Sequence, residues 1–128
     1  MKLLLDTHLL LWAASEPDRL PEAAATAIAD EGNELFFSAA SIWEIVIKGG
    51  LGRDDFEVDA NLLRRGLVDN GYAELAIASS HAIAVSALPS LHKDPFDRML
   101  VAQATAEGIE LITSDERLAA YPGPIRKV

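Results

Sequence analysis

Short apolar runs and helical patterns alternate along the whole chain. Strands are predicted at residues 2–5, 34–38, 73–77 and 109–113, with a fifth, edge strand at 125–128 after the PGP break. Helices are predicted at residues 7–14, 21–32, 38–50, 59–71, 79–88, 96–108 and 114–120, with Gly32 and Gly49 as stop signals of the second and third. This alternation predicts an α/β fold of three layers, in which helices flank a mostly parallel β-sheet of about five strands.

The bulk composition fits one domain of ordinary size. The chain has 128 residues, 50% of them hydrophobic, which is enough to bury a core without cross-links. It has no cysteine, which excludes disulfides and thiolate-bound zinc and fits a reducing compartment. The N-terminal leucine runs are too short to span a bilayer and, with Lys2 and an early Asp6, make a poor signal peptide. We therefore expect a cytoplasmic protein without a membrane partner.

The chain is acidic, with a formal net charge of −9 and a pI near 4.6. Non-specific binding to nucleic acids depends on lysines and arginines that neutralise phosphates. The net charge therefore argues against a simple nucleic-acid binder with a broad basic surface.

Four acidic residues fall where a parallel sheet places its functional sites. Asp6 interrupts the apolar stretch LLLDTHLLLW directly after the first strand, and Asp115 follows the strand sequence ELITS. Glu44 lies on the helix after LFFS, and Asp97 lies in the first turn of the helix at 96–108. Because ligands bind outside the carboxyl ends of parallel strands, we expect these four side chains to face the same edge.

Three of these acids have a structural explanation at the start of a helix. Asp6 and Asp115 suit helix N-caps, and Asp94 suits a cap that is followed by Pro95. Asp97 would then stand in the first turn, where a carboxylate complements the helix dipole. Taken one at a time, these acids do not require a functional role.

Glu44 has two structural explanations of its own. The segment from Ser41 to Glu44 matches a capping box, and Glu44 with Lys48 forms an i,i+4 pair of opposite charge. The sequence leaves both open beside a functional role.

The conjunction of the four acids favours a metal site. Independent caps have no reason to share one sheet edge beside apolar flanks, and burying several like charges without partners is costly. Mg²⁺ and Mn²⁺ prefer oxygen ligands and usually keep some waters, which suits metal-assisted hydrolysis of a phosphodiester. The candidates for phosphate contacts at the rim are Lys48, Arg53, Lys93 and Arg98, each of which is also an ordinary solvated side chain.

Four segments in this order resemble the PIN domain family, and within it the VapC-type toxins of bacterial toxin–antitoxin pairs. The segments are LLLDTH, SAASIWEIVIKGGLG, HKDPFDRMLVAQA and LITSD, and the resemblance spans nearly the whole chain. It implies a single PIN-like domain over residues 1–128 and an endoribonuclease that uses Mg²⁺ or Mn²⁺ to hydrolyse RNA phosphodiester bonds. It also implies a cognate antitoxin protein that blocks the enzyme, and a homodimer.

The resemblance also implies which residues hold the metal. The acids of the family's pattern fall on Asp6, Glu44, Asp97 and Asp115. We expect Asp6 and Asp97 to bind the ion most directly, Asp115 to complete the shell, and Glu44 to position or deprotonate a water. The hydroxyl groups nearby, which suit either the orientation of these acids or turns and caps, belong to Thr7, Thr113 and Ser114.

The histidines and the glycine-rich segment favour structural roles. His8, His81 and His92 show no i,i+4 spacing of the kind that binds zinc on a helix. The segment GGLGR lacks a preceding strand and the Lys-Ser/Thr ending of a phosphate-binding loop, so we expect a flexible turn.

Two other classes of function remain as alternatives. One is a non-catalytic module whose acidic surface docks a basic peptide of a partner protein. The other is phosphoryl transfer through an aspartyl intermediate at Asp6, which the sequence supports weakly because His8 stands where such enzymes often place a second acid.

Overall fold

Five strands form one sheet in the computed structural model, which describes residues 1–128. The strands are Lys2–Leu5 (β1), Glu34–Ser38 (β2), Ala73–Leu75 (β3), Glu110–Thr113 (β4) and Ile125–Lys127 (β5). The helices are Thr7–Ser15 (α1), Glu22–Ala29 (α2), Ala39–Gly50 (α3), Ala60–Asp69 (α4), Ser79–Val85 (α5), Pro95–Glu107 (α6) and Glu116–Ala119 (α7). All neighbouring strands are parallel, so the predicted α/β class with a five-stranded sheet is confirmed.

The strand order places β1 in the middle of the sheet. The order is β3-β2-β1-β4-β5, so the chain builds outward through β2 and β3 and returns to the other side of β1 with β4. In the parallel register Leu5 pairs with Ile112, and Leu4 pairs with Phe36. Open parallel sheets bind ligands at the carboxyl edge where the strand order reverses, which here is the end of β1 beside β4.

Strand residues divide between two cores, one on each face of the sheet. Leu3 and Leu5 belong to the core that includes residues of α1, α2 and α4, whereas Leu4 belongs to the core built with α6 and α7. Ile112 and Leu111 of β4 divide in the same way, and all five side chains are fully buried. A strand covered on both faces reads as a continuous apolar run. Polar functional side chains can therefore lie in this part of the sheet only at the strand ends.

Helix α2 ends earlier than predicted. It ends at Ala29 rather than at Gly32, because the Asp30 side chain accepts a hydrogen bond of 2.8 Å from Gly32 N and turns the chain there. Helix α5 likewise ends at Val85, short of residue 88.

Helix α3 begins earlier than the capping-box interpretation requires. Ser38 is its N-cap, and Ser38 Oγ accepts a hydrogen bond of 3.0 Å from Ala40 N. Ser41 is buried within the helix, so the capping box of Ser41 with Glu44 is wrong. The helix continues past the predicted stop at Gly49 by one residue.

The segment GGLGR is only partly a turn, because Gly49 and Gly50 end α3 and the turn that follows is Leu51 and Gly52. Gly52 has a φ of 75°, in the left-handed region that favours glycine. The chain then returns through a 3₁₀ turn at Asp54–Phe56, which buries Phe56 in the first core. A Cβ at Gly49 would lie 2.9 Å from the Phe56 carbonyl oxygen, so α3 and this turn approach each other backbone to backbone.

None of the helices combines the length and the apolar character that crossing a membrane requires.

Replacing Gly49 by alanine is expected to destabilise the protein, because the new methyl group meets a backbone carbonyl that cannot rotate away. We expect a loss of about 1–3 kcal/mol in the free energy of unfolding, measured by urea denaturation. Gly50→Ala is the matched control on the same helix, since nothing lies within 4 Å of its added Cβ. That variant should be unchanged or up to about 1 kcal/mol more stable. Equal stabilities of the two variants would contradict the backbone contact.

Candidate metal centre

A cavity of about 450 Å³ lies at the carboxyl edge of the sheet. Its lining includes all four acids that the sequence singled out, which are Asp6, Glu44, Asp97 and Asp115. They lie on different elements: Asp6 follows β1, Glu44 lies on α3, Asp97 lies on α6 and Asp115 precedes α7. The spatial expectation for the four acids therefore agrees with the structure.

Asp6 is a buried carboxylate without a cationic partner. It caps α1, where Oδ1 accepts a hydrogen bond of 2.9 Å from Leu9 N, and its other oxygen accepts one from Thr113 Oγ1. Only 5% of Asp6 is exposed, and no lysine, arginine or histidine forms an ion pair with it. Burial raises the pKa of Asp6, although these two hydrogen bonds oppose the shift. The structure thus keeps a charge-bearing group here with hydrogen-bond donors but no cation.

Asp97 lies in the first turn of α6, behind the cap that Asp94 provides. Asp94 Oδ1 accepts hydrogen bonds from Phe96 N and Asp97 N, as the cap interpretation predicts. His92 Nε2 donates to Asp97 Oδ2 at 2.8 Å. Burial, followed by the negative charges of Asp94 and Glu44, raises the pKa of Asp97 to about 6.

Asp115 is the most accessible of the four acids. It caps α7, with Oδ1 accepting a hydrogen bond of 2.8 Å from Arg117 N. Partial burial works against ionisation, but the hydrogen bonds and charge of Arg117 outweigh it and lower the pKa of Asp115. Asp115 N in turn donates to Thr113 Oγ1 at 3.0 Å, so one hydroxyl group connects Asp115 with Asp6.

Glu44 is almost fully buried and has a donor on each carboxylate oxygen. Thr7 Oγ1 donates to Oε1 at 2.6 Å, and Lys48 Nζ donates to Oε2 at 2.5 Å. The i,i+4 pair with Lys48 that the sequence offered as an explanation is therefore formed. Thr7 and Thr113 both contact the acids directly, whereas Ser114 lines the cavity without such a hydrogen bond.

Lys48 lies inside the cavity rather than at its rim. Its ammonium group bridges Glu44 and Asp94, with the second contact at 3.1 Å, and its side chain is 15% exposed. Nζ is 5.0 Å from the ring centroid of Phe56 and 5.7 Å from that of Phe96. Burial opposes the charge, but the two carboxylates outweigh it and raise the pKa of Lys48; the same contact lowers the pKa of Asp94 against its own burial.

The tightest group of potential metal ligands is not the predicted set of four acids. His92, Asp94 and Asp97 each offer a ligand atom, and these atoms lie within 4.8 Å of one another. His92, for which the sequence favours a structural role, contacts Asp97 at the cavity. The spacing His92-x-Asp94-x-x-Asp97 was the available signal, since it puts three ligand-capable side chains across a loop and the helix start that follows.

The other two histidines do not join this group. His81 is buried at the start of α5, where its Nδ1 accepts a hydrogen bond from Ala78 N and its Nε2 lies 2.9 Å from Glu107. This contact agrees with a structural role. His8 is partly exposed, lies 3.4 Å from Asp55 and packs edge-on against Phe56.

The four rim candidates separate in the structure. Arg53 and Lys48 line the cavity, whereas Lys93 does not. Arg98 points away from it and donates to the carbonyl groups of Val85 and Pro89, so its expected position at the rim is wrong. Arg98 instead connects α6 to the end of α5 and the segment that follows it through these two hydrogen bonds.

The donor set fits a hard divalent cation. Five carboxylates line the cavity together with the imidazoles of His8 and His92, and the His92 imidazole lies close to Asp94 and Asp97. Such oxygen-rich sites suit Mg²⁺ or Mn²⁺, and the buried Asp6 carboxylate without an ion pair supplies a charge for the cation to balance.

Two solved structures share this fold. VapBC2 from Rickettsia felis, bound to a DNA fragment from its promoter, superposes with a TM-score of 0.72 at 13% identity, over 99% of this chain and 98% of that one. DNA-bound VapBC from Salmonella typhimurium superposes with a TM-score of 0.68 at 17% identity, over the same shares of the two chains.

Sequence comparison gives the same relationship. Ribonuclease VapC22 from Mycobacterium tuberculosis (strain ATCC 25618 / H37Rv) is 33% identical over 122 residues, which cover 94% of this chain and 92% of that protein. The PIN domain model matches residues 3–124. With the parallel sheet and the acid-lined carboxyl edge, these matches establish that the chain belongs to the PIN domain family, among its VapC-type members.

Proposed function

We propose that this chain is a divalent-metal-dependent endoribonuclease that hydrolyses RNA phosphodiester bonds as the toxin of a toxin–antitoxin pair. The observation that carries the proposal is the meeting of Asp6, Glu44, Asp97 and Asp115 in one cavity from separate elements. Hard oxygen ligands of this kind suit Mg²⁺ or Mn²⁺.

The relatives support the same function and suggest its partners. The curated relative is a ribonuclease, and both solved structures are VapBC complexes. We infer that this chain binds a cognate antitoxin protein and acts on RNA in the cytoplasm. We also propose a homodimer, which only the family resemblance supports.

The chain's own residues prepare the site for hydrolysis. A divalent ion bound here would activate a water and stabilise the leaving oxygen. Asp6 and Asp97 would hold the ion most directly and Asp115 would complete the shell, while Glu44 positions or deprotonates the water.

Two neighbours orient the principal ligands before any ion arrives. Thr113 donates a hydrogen bond to Asp6, and His92 donates one to Asp97. Fixing a carboxylate in this way limits the reorganisation that binding requires. The arginines of the cavity, Arg53 and Arg117, supply positive charge for the RNA backbone within an otherwise acidic chain.

Asp6→Asn and Asp97→Asn should each abolish RNA cleavage while the fold survives, because the change removes charge with little change in volume. Loss of an orienting neighbour of a metal ligand typically costs 10–100-fold, so loss of the ligand should cost more than about 100-fold. Cleavage of a pooled RNA substrate, followed on gels, measures the loss, and circular dichroism checks the fold. Asp69→Asn, an exposed position on α4, is the control and should cleave normally. Full activity in either site variant would refute the assignment.

Removal of divalent ions with a chelator should stop RNA cleavage and lower the melting temperature, since ions that bind only the folded state stabilise it. Added Mn²⁺ should restore both. An acidic docking module, the alternative function, would bind its basic peptide and melt at the same temperature with or without chelator. The Asp6→Asn variant serves as the control, because its melting temperature should respond much less to chelator.

Metal affinity should fall as the pH falls through 6. Asp97 binds a cation as the carboxylate, and its pKa is raised to about 6 by burial and by the charges of Asp94 and Glu44, with His92 opposing the shift. Protons therefore compete with the metal below that pH, and Mn²⁺ should bind about tenfold more weakly at pH 5 than at pH 7. Calorimetric titrations across this range would show the change, and a flat profile would contradict it.

In the metal-free protein the raised pKa of Asp97 makes the folded state more stable at low pH than at neutral pH. The pKa of Asp97 is higher in the folded protein than the ordinary value of 3.8, so the folded state holds its proton more tightly. The resulting stabilisation is present below pH 4 and is lost as the pH rises through 6. Metal-free Asp97→Asn should therefore gain stability relative to the metal-free native chain between pH 4 and pH 7, measured by urea unfolding. A difference that does not change with pH would contradict the shift.

A further inference from the structure

We propose that Lys48 is a built-in cation that fills one of two cation positions in the cavity, so that each chain binds a single divalent ion. The inference rests on the proposed metal-dependent function and concerns the number of ions, which the fold alone does not determine.

The carboxylates around Lys48 have no oxygen without a donor. Glu44 accepts hydrogen bonds from Thr7 on one oxygen and from Lys48 on the other. Asp94 accepts from the backbone of α6 on Oδ1 and from Lys48 on Oδ2. An ion that bound to this pair would have to displace the ammonium group.

Lys48 is held in place rather than free to leave. It is 15% exposed, it contacts two carboxylates, and its ammonium group lies near the rings of Phe56 and Phe96. Phe56 itself is buried in the first core. A lysine at the rim would have none of these restraints.

The other acids keep ligand capacity. Asp6 forms no ion pair, and Asp97 Oδ1 accepts no hydrogen bond, since the contact with His92 uses Oδ2. The carboxylates without a lysine or arginine partner are therefore the predicted direct ligands, Asp6 and Asp97, whereas Lys48 pairs with Glu44 and Asp94.

The net charge of the residues that line the cavity also favours one divalent ion per chain. The lining has five carboxylates and three cationic side chains, which leave a net charge of −2 when the histidines are neutral. One divalent ion balances that charge. A second ion would leave an excess of two positive charges, whereas removal of Lys48 would leave an unbalanced carboxylate beside an empty position.

Titration with Mn²⁺ tests the inference without relying on activity. Free Mn²⁺, followed by electron paramagnetic resonance, gives the number of ions bound per chain. We expect one ion for the native chain and two for Lys48→Met, which keeps the length of the side chain between the two rings but removes its charge. Lys48→Arg retains the charge and should bind one ion. The control Lys2→Met, at the exposed start of β1, should also bind one.

The results separate this inference from the proposed function. Two ions in the native chain, or one ion in a folded Lys48→Met variant, would overturn the role of Lys48 while leaving metal dependence in place. No bound ion in the native chain would overturn the metal-dependent function and the inference with it. If Lys48→Met folds only in the presence of Mn²⁺, a count of two ions in that folded form is the expected result and a count of one overturns the inference.

Discussion

A carboxylate at the end of a strand that is buried on both faces is the constraint on which the site depends. Leu3, Leu4 and Leu5 are fully buried, so the chain emerges from the core only at Asp6, which is itself 5% exposed. An ionised group in that position needs hydrogen bonds or an opposite charge, because burial alone disfavours it. The cap at Leu9 N and the hydroxyl of Thr113 supply the hydrogen bonds, and no lysine, arginine or histidine side chain forms an ion pair with Asp6.

Structural and functional explanations of these acids are not exclusive. Asp6, Asp94 and Asp115 all cap helices, and each helix starts at the carboxyl edge because a strand, or in the case of α6 a short loop, delivers it there. Several helix N-termini with their partial positive charge therefore surround the cavity. This arrangement stabilises the carboxylates in the absence of metal.

The sequence predicts the sheet and the four acids because both depend on local signals, namely apolar runs and the acid that ends each run or opens the next helix. It does not predict the surroundings of Lys48, which depend on α3 meeting α6 across 46 positions of chain. The contact of His92 with Asp97 is not predicted either, because the i,i+4 spacing that marks a helical zinc site does not detect a histidine in a loop. The early end of α2 shows the limit at a boundary, where the Asp30 side chain outweighs the alanine-rich helix pattern.

The charges of the cavity explain how a chain of net charge −9 can act on a polyanion. Repulsion between the exposed acids and RNA is screened beyond a distance of about 10 Å at ordinary salt, so the charge of the cavity itself decides whether a phosphate enters. With Lys48, Arg53 and Arg117 present, the lining lacks only two positive charges. One divalent ion, bound as proposed, would make the cavity neutral. Without the ion the lining would carry a net negative charge, so on the proposed function ion binding and RNA binding would be coupled and each would strengthen the other.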